Sequence, residues 1–232
     1  MEPTSDSRNK ATATETTQGQ KQAIPLFPTV CFVSEYQNIE ALNNELQAFC
    51  LEQENSKQGI DSGSIQGGYH SSRDFFEFEN ESVQMLKELL MTDVRSYLAE
   101  YWRQESTSPL SDISDLSMRM TGWSVILRQG GVSTPHTHPG AHLSGVYYVS
   151  THEKSGVATD QGGDLVLVDP RIRATVAPVK GQKSNAIFQP KPGITVMFPS
   201  FLEHYVLPFQ GDGVRISIAY NITFSPNALQ RD

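Results

Sequence analysis

The sequence predicts a mainly β protein, with an all-β sandwich or jelly-roll core preceded by a brace of one strand and two helices. From Met118 onward the chain divides into eight short β-prone segments, separated by turn residues such as Pro139-Gly140 and Pro192-Gly193. Before that point, two longer segments repeat apolar residues every three or four positions, as helices do. The predicted core strands are 118–129, 133–138, 142–150, 163–169, 185–189, 194–198, 203–209 and 214–224.

The N-terminal half predicts the brace. Residues 29–33 are β-branched and aromatic and predict a strand, and apolar periodicity predicts helices over 38–53 and 81–103. Residues 54–74 are rich in Gly and Ser and predict a loop, and residues 104–116 predict a polar linker.

The domain organisation follows from length and composition. Residues 1–22 hold almost no apolar side chains, so burial cannot offset the entropy of ordering them, and we expect a disordered tail. A chain of 232 residues allows one large domain or two small ones. We expect a single domain over 23–232, with a helical brace at 23–117 and a jelly-roll core at 118–226.

Charge and apolar content argue against some classes of binding partner. The formal net charge is -8 and no Lys/Arg run occurs, which argues against nucleic acid and acidic membranes. No apolar segment approaches the ~18 residues of a membrane span, and no secretory signal is visible. Cys31 and Cys50 are expected to be reduced thiols, a disulfide between them being the alternative. We expect a cytoplasmic protein with a small-molecule or peptidyl substrate; a homodimer is compatible with the sequence.

Three histidines form the strongest chemical pattern. His136 and His138 are two residues apart, so on a strand they would share one face at about 6–7 Å. His204 lies far downstream, near the start of a predicted strand. This spacing is typical of a mononuclear metal centre in a β-barrel, although three unrelated histidines are the plain alternative. Iron(II) suits imidazole ligands with open positions, whereas zinc would call for a Cys or carboxylate ligand.

Five motifs then occur in order along the core. They are H-x-H-P, L-S-G-V-Y-Y-V, D-P-R, F-P-S-x-x-x-H and R-x-S-x-x-x-N, at His136–Pro139, Leu143–Val149, Asp169–Arg171, Phe198–His204 and Arg215–Asn221. With these motifs, the region from about Trp123 to Phe224 resembles the double-stranded β-helix of the 2-oxoglutarate/Fe(II)-dependent oxygenases. The GGYHSSRD segment, Gly67 to Asp74, resembles the N-terminal half of the same family, so the resemblance covers roughly 30–224.

The resemblance implies a site and an activity. It implies three histidine ligands to Fe(II), and contacts to the distal carboxylate of 2-oxoglutarate from Arg215, Ser217 and Tyr148. The implied reaction uses O2, converts 2-oxoglutarate to succinate and CO2, and hydroxylates an unidentified substrate. The plain alternatives are an ion pair at the barrel rim for Arg215, core packing for Tyr148 and a small barrel residue for Ser217.

The ligand pattern departs from that of the family. The superfamily usually carries Asp or Glu two residues after the first histidine, and here His138 occupies that position. Three neutral imidazoles would leave the full +2 charge on the metal and favour a dianionic co-substrate. Alternatively, His138 is the first ligand and Gly140 occupies the carboxylate position, leaving room for a halide as in some related halogenases.

Two other functions fit parts of the sequence. The first is a cupin-type dioxygenase or isomerase without 2-oxoglutarate, in which His142 would take the position of the usual Glu. Arg215 distinguishes this alternative from a 2-oxoglutarate-dependent oxygenase, because a cupin needs no anchor for 2-oxoglutarate. The second is a non-catalytic jelly roll that binds a metal for stability, since fold alone does not determine function.

Overall fold

Nine strands form one curled antiparallel sheet in the computed structural model. The model describes residues 22–23, 26–56, 59–105, 116–151, 162–171, 176–177, 180–181 and 183–226. The elements in chain order are β1 (Phe32–Glu35), α1 (Glu40–Ser56), β2 (Ile65–His70), a 3-10 turn (Phe75–Glu77), α2 (Glu81–Glu105), β3 (Leu116–His136), β4 (Leu143–Ser150), β5 (Leu165–Val168), β6 (Asn185–Phe188), β7 (Ile194–Pro199), β8 (His204–Val206) and β9 (Arg215–Pro226).

The long strand β3 connects the two layers of the sheet. The strand order is β1-β7-β4-β9-β3-β8-β5-β6, and β2 pairs with β3 outside this path. The first part of β3, Leu116 to Leu127, pairs with β9, and its end, Ser133 to His136, pairs with β8. Gly130, at φ 80°, lies between the two parts and allows the strand to bend. The sheet therefore curls into a jelly roll, which confirms the predicted fold class.

The two helices cover the outside of one layer. Leu46 of α1 and Leu90 of α2 are fully buried against the sheet residues Tyr147 and Ile218. The Asn80 side chain caps α2 by accepting a hydrogen bond from the N–H of Val83 at 3.1 Å. Because the helices bury this face, the opposite face of the sheet is left to line the space between the layers.

The helices lie close to their predicted positions, but two strand assignments were wrong. The predicted loop at 54–74 contains β2, which pairs with β3. The glycines of β2 led to the loop prediction, but they have a packing role. A Cβ on Gly68 would lie 2.6 Å from the carbonyl oxygen of Ile126, so only glycine permits this close approach of the two strands. The separate strands predicted at 118–129 and 133–138 are one strand, because Gly130 and Gly131 bend β3 without ending it.

Other expectations concern parts of the chain at or beyond the edge of the described residues. The predicted tail, except for Gln22, and residues 106–115 of the predicted linker lie outside them, and the proposed domain boundaries stay predictions. Cys31 and Cys50 are free thiols. Within the described part of the chain, no helix is long and apolar enough to cross a membrane.

Candidate active site

The three predicted histidines lie together. His136 ends β3, and its partner across the strand pair is His204, the first residue of β8. One ring nitrogen from each of His136, His138 and His204 lies within 4.8 Å of the others. The sequence predicted that His136 and His138 share one face of a strand. This was wrong for His138, which lies beyond the end of β3. There its backbone N–H donates to the carbonyl of Ser200 at 3.1 Å, which holds the turn in place.

Backbone carbonyls orient two of the rings. Nδ1 of His136 contacts the carbonyl oxygen of Thr134 at 2.7 Å, and Nδ1 of His204 contacts that of Leu202 at 2.9 Å. A carbonyl can only accept, so Nδ1 carries the proton in both rings and Nε2 keeps its lone pair. A histidine that donates from one nitrogen and offers the other is the usual arrangement of a metal ligand.

A polar side chain lies beside the third ring. Asn221 of β9 lines the cavity next to His138 and favours the charged form of its imidazole. The Asn221 oxygen in turn accepts from the Ser144 hydroxyl at 2.8 Å, and Ser144 contacts the Ser200 hydroxyl at 2.8 Å. These contacts hold Asn221 in the cavity wall beside His138.

The environment keeps these imidazoles neutral. Burial, followed by the neighbouring His204 and His136 rings and Arg73, lowers the pKa of His138 to about 3. Burial lowers the pKa of His204 to about 4, and also lowers the pKa of His136. Neutral imidazole is the form that binds a metal ion, so the donor set fits a divalent cation such as Fe(II).

Arg215 lies inside the same cavity. Its side chain is 1% exposed, Nε donates to the carbonyl of Gly163 at 3.0 Å, and Nη1 donates to the Ser217 hydroxyl at 3.0 Å. The guanidinium lies over the Tyr148 ring, 5.1 Å from its centroid. The Tyr148 hydroxyl is buried and meets no hydrogen-bond partner within the described part of the chain. A buried guanidinium that lines the cavity fits a ligand carboxylate, whereas Tyr148 is not among the described residues that line the cavity.

Two neighbours of Arg215 were not singled out as functional from the sequence. Burial lowers the pKa of Arg215, and the buried Asp164 is among the groups that oppose this effect. Gly163 has φ 75°, and a Cβ there would lie 2.9 Å from Cδ of Arg215. Both residues lie in a Gly-Gly-Asp turn that resembles any other turn, so only the position of Arg215 in three dimensions reveals their contribution.

The cavity has a volume of about 280 Å³ and lies between the layers of the jelly roll. The metal-site histidines and Arg215 line it, and the residues described around it include no Asp or Glu. His70 is 4% exposed and lines the cavity wall. Trp123 is buried and also lines the cavity.

Two further predictions can be compared with the structure. Tyr147 faces away from Tyr148, as strand alternation predicts, and its hydroxyl donates to the Asn43 side chain at 2.7 Å on the helix-covered face. His142 does not join the metal cluster: its Nδ1 accepts from the N–H of Phe224 at 3.1 Å. The cupin alternative loses the residue that would have completed its ligand set.

A comparison with protein families identifies the core. The family described as "Putative 2OG-Fe(II) oxygenase" matches residues 121–221, which span β3 to β9 and contain the three histidines and Arg215. Residues 121–221 therefore carry the sequence pattern of the 2-oxoglutarate/Fe(II)-dependent oxygenases, and this match agrees with the donor set of three neutral imidazoles. No curated protein sequence matches the chain.

Solved structures share the fold of this chain at low sequence identity. A prolyl-4-hydroxylase from Pseudomonas putida is 14% identical, with a TM-score of 0.56, over 83% of this chain and 91% of that one. A prolyl hydroxylase from Trichoplax adhaerens, solved with a hypoxia inducible factor peptide, is 14% identical, with a TM-score of 0.55, over 83% of both chains. The epimerase SnoN from nogalamycin biosynthesis is 11% identical, with a TM-score of 0.55, over 86% of this chain and 82% of that one.

Proposed function

We propose that this oxygenase is a hydroxylase that holds Fe(II) with His136, His138 and His204 and anchors 2-oxoglutarate with Arg215, Ser217 and Tyr148. One observation carries the assignment of residues. The buried Arg215 guanidinium lines the same cavity as the three converging imidazoles, so that a metal-binding donor set and an anchor for an anion share one pocket. A co-substrate with a metal-chelating end and a distal carboxylate needs both features in one pocket.

Each residue has a defined task. The imidazoles hold the metal, and in His136 and His204 a hydrogen bond from Nδ1 to a backbone carbonyl fixes the orientation of the ring. Arg215 binds the distal carboxylate through its free N–H groups, while Gly163 and Ser217 keep the guanidinium in place. Bound iron, with 2-oxoglutarate and O2, supplies the oxidising chemistry, and the protein supplies orientation and an enclosed pocket.

The charges support His138 as the third ligand. Three neutral imidazoles leave the +2 charge of the metal intact, and 2-oxoglutarate carries two negative charges that balance it. In the halide alternative, Gly140 would face the metal. Gly140 lies in a turn at φ 89°, and among the described residues it is not part of the cavity wall. His138 lines the cavity, and its ring nitrogen belongs to the metal cluster.

Two of the three compared structures are named hydroxylases, which supports hydroxylation as the proposed reaction, whereas the third is named an epimerase. The two outcomes differ in the product. Hydroxylation adds one oxygen atom from O2 to the substrate, whereas epimerisation leaves the substrate mass unchanged. Mass spectrometry of the product formed under ¹⁸O2 therefore separates them once a substrate is found.

The assignment of residues is tested by succinate formation. The Fe(II)-loaded protein is given 2-oxoglutarate and O2, and succinate is measured for the wild type, His204→Ala, Arg215→Gln and the control Arg95→Gln. Arg95 lies on the exposed surface of α2, away from the cavity. We expect succinate from the wild type and Arg95→Gln, and little from the other two. Equal succinate from all four proteins would overturn the assignment.

A further inference from the structure

We propose that Arg73, seated on Trp123 at the cavity wall, forms a subsite for an oxyanion of the substrate, either a carboxylate or a phosphate. The substrate class would then be acidic molecules. This inference rests on the proposed function, because it takes the metal cavity as the place where substrate binds.

Arg73 is placed beside the metal centre by an aromatic platform. Its guanidinium carbon lies 5.5 Å from the Trp123 ring centroid. The Trp123 ring stacks on His138 with a centroid distance of 5.4 Å and an interplanar angle of 14°, and on His70 at 5.5 Å and 13°. Arg73 is thus held one aromatic ring away from a proposed metal ligand, which is within reach of a substrate positioned at the metal.

Arg73 has no carboxylate partner among the residues that the structure describes. The neighbouring Asp74 instead accepts a hydrogen bond from the Ser72 hydroxyl at 2.5 Å. Two other surface arginines are paired: Arg128 binds Glu54 at 2.6 Å, and Arg171 binds Asp169 at 2.6 Å. Arg73 is exposed and faces the cavity with its charge unneutralised.

The charge balance of the filled cavity favours an anionic substrate. The +2 charge of the metal is matched by the two negative charges of 2-oxoglutarate, and the charge of Arg215 is offset by the buried Asp164. Arg73 then leaves one positive charge in a cavity whose described lining has no acidic residue, in a chain with a formal net charge of -8. A planar guanidinium fork matches the two oxygens of a carboxylate or phosphate.

The subsite is tested with Trp123 as the reporter. The chain has two tryptophans, so the Trp102→Phe background leaves Trp123 as the sole tryptophan emitter. In full-length protein with Zn(II) and saturating 2-oxoglutarate, quenching by iodide, an anion, is compared with quenching by neutral acrylamide at low ionic strength. Removing a unit charge at about 5.5 Å should lower the iodide-to-acrylamide ratio about threefold or more. We expect this loss in Arg73→Gln, but not in Arg73→Lys or the surface control Arg95→Gln.

Three small probes identify the chemistry of the occupant. N-acetylglycine supplies a carboxylate, methyl phosphate supplies a phosphate, and N-acetylglycinamide is the neutral control. We expect one or both anions to reduce the iodide quenching of Trp123 at concentrations where the amide does not, and the more effective anion gives the oxyanion class. An unchanged ratio in Arg73→Gln, or no difference between the anions and the amide, overturns the subsite.

Failure of the subsite can be told apart from failure of the proposed function. The same samples are titrated with 2-oxoglutarate in the presence and absence of the metal. Metal-dependent binding of 2-oxoglutarate together with an Arg73-independent ratio contradicts the subsite alone. Absence of metal-dependent binding contradicts the proposed function. Circular dichroism of each variant checks that the fold is intact.

Discussion

His136 and His204 face each other directly across the β3–β8 pair, with their ring centroids 4.3 Å apart. Opposite residues of an antiparallel pair project to the same side of the sheet, so strand pairing alone brings these two imidazoles together. His138 completes the cluster from the turn beyond β3, where a backbone hydrogen bond to Ser200 holds it and Asn221 lies beside it. The proposed metal centre is thus built from one register pair and one turn residue.

His138 should be replaceable by a carboxylate but not by a methyl group. We expect His138→Ala to lower metal affinity more than about 100-fold, above the range for loss of a hydrogen-bonding neighbour of a ligand. His138→Asp restores the usual pair of histidines with one carboxylate and should keep most of the affinity. Calorimetric titration with Fe(II) under anaerobic conditions measures both. Equal affinity in His138→Ala and the wild type would remove His138 from the ligand set.

Arg215 should determine the affinity for 2-oxoglutarate and leave that for the metal unchanged. Loss of charge-assisted hydrogen bonds worth about 1.5–3 kcal/mol predicts a 2-oxoglutarate affinity lower by about 10- to 100-fold in Arg215→Gln. Arg215→Lys, which keeps the charge without the planar fork, should be intermediate. Titration of metal-loaded protein with 2-oxoglutarate measures the effect. Similar affinity in Arg215→Gln and the wild type would refute the anchor.

Asn221 should act on the metal through His138. Asn221→Ala removes the polar side chain beside His138, and loss of such a neighbour of a metal ligand typically costs about 10- to 100-fold in metal affinity. Ser144→Ala removes only the hydroxyl that donates to Asn221, so a smaller loss in the same direction is expected. Metal titration ranks the wild type, Ser144→Ala and Asn221→Ala. If Asn221→Ala binds metal as tightly as the wild type, Asn221 has no orienting role.

Gly145 should be required for packing in β4. A Cβ at this position would lie 2.2 Å from Cζ of the fully buried Tyr220, so Gly145→Ala forces a rearrangement of the core. We expect a loss of about 1–3 kcal/mol in the free energy of unfolding. At Gly213 a Cβ meets nothing within 4 Å, so Gly213→Ala should change this free energy by less than about 0.5 kcal/mol. Urea denaturation compares the two variants, and equal stability would contradict the packing argument.

The metal-free protein should lose stability as the pH falls below neutral. The pKa of His138 is about 3 in the folded chain, against an ordinary value of 6.5, so between these values the unfolded chain binds a proton that the folded chain does not. Stability therefore decreases with falling pH, by about 2 kcal/mol at pH 5 for this residue. Urea denaturation with a chelator should show a weaker pH dependence in His138→Asn than in the wild type. Parallel curves would contradict the proposed cause.

The sequence predicted the jelly roll and the convergence of the three histidines, but it predicted the local backbone geometry less well. The H-x-H and F-P-S-x-x-x-H motifs lie at strand ends that turn signals mark, so the pairing of their histidines could be anticipated. The strand β2 was not predicted because it contains glycines, which usually indicate a loop. In the structure these glycines allow β2 to approach β3 closely. No sequence motif marks Asp164 or Arg73 as functional, because the effect of each charge depends on residues that lie beside it only in the folded chain.

The most direct measurement is an anaerobic titration of the full-length protein with 2-oxoglutarate, with and without Fe(II), for the wild type and Arg215→Gln. The predicted result is tight binding only in the metal-loaded wild type, weakened by about 10- to 100-fold in Arg215→Gln. Binding that needs no metal, or binding that Arg215→Gln leaves unchanged, would contradict a site in which the three histidines and Arg215 hold opposite ends of one co-substrate.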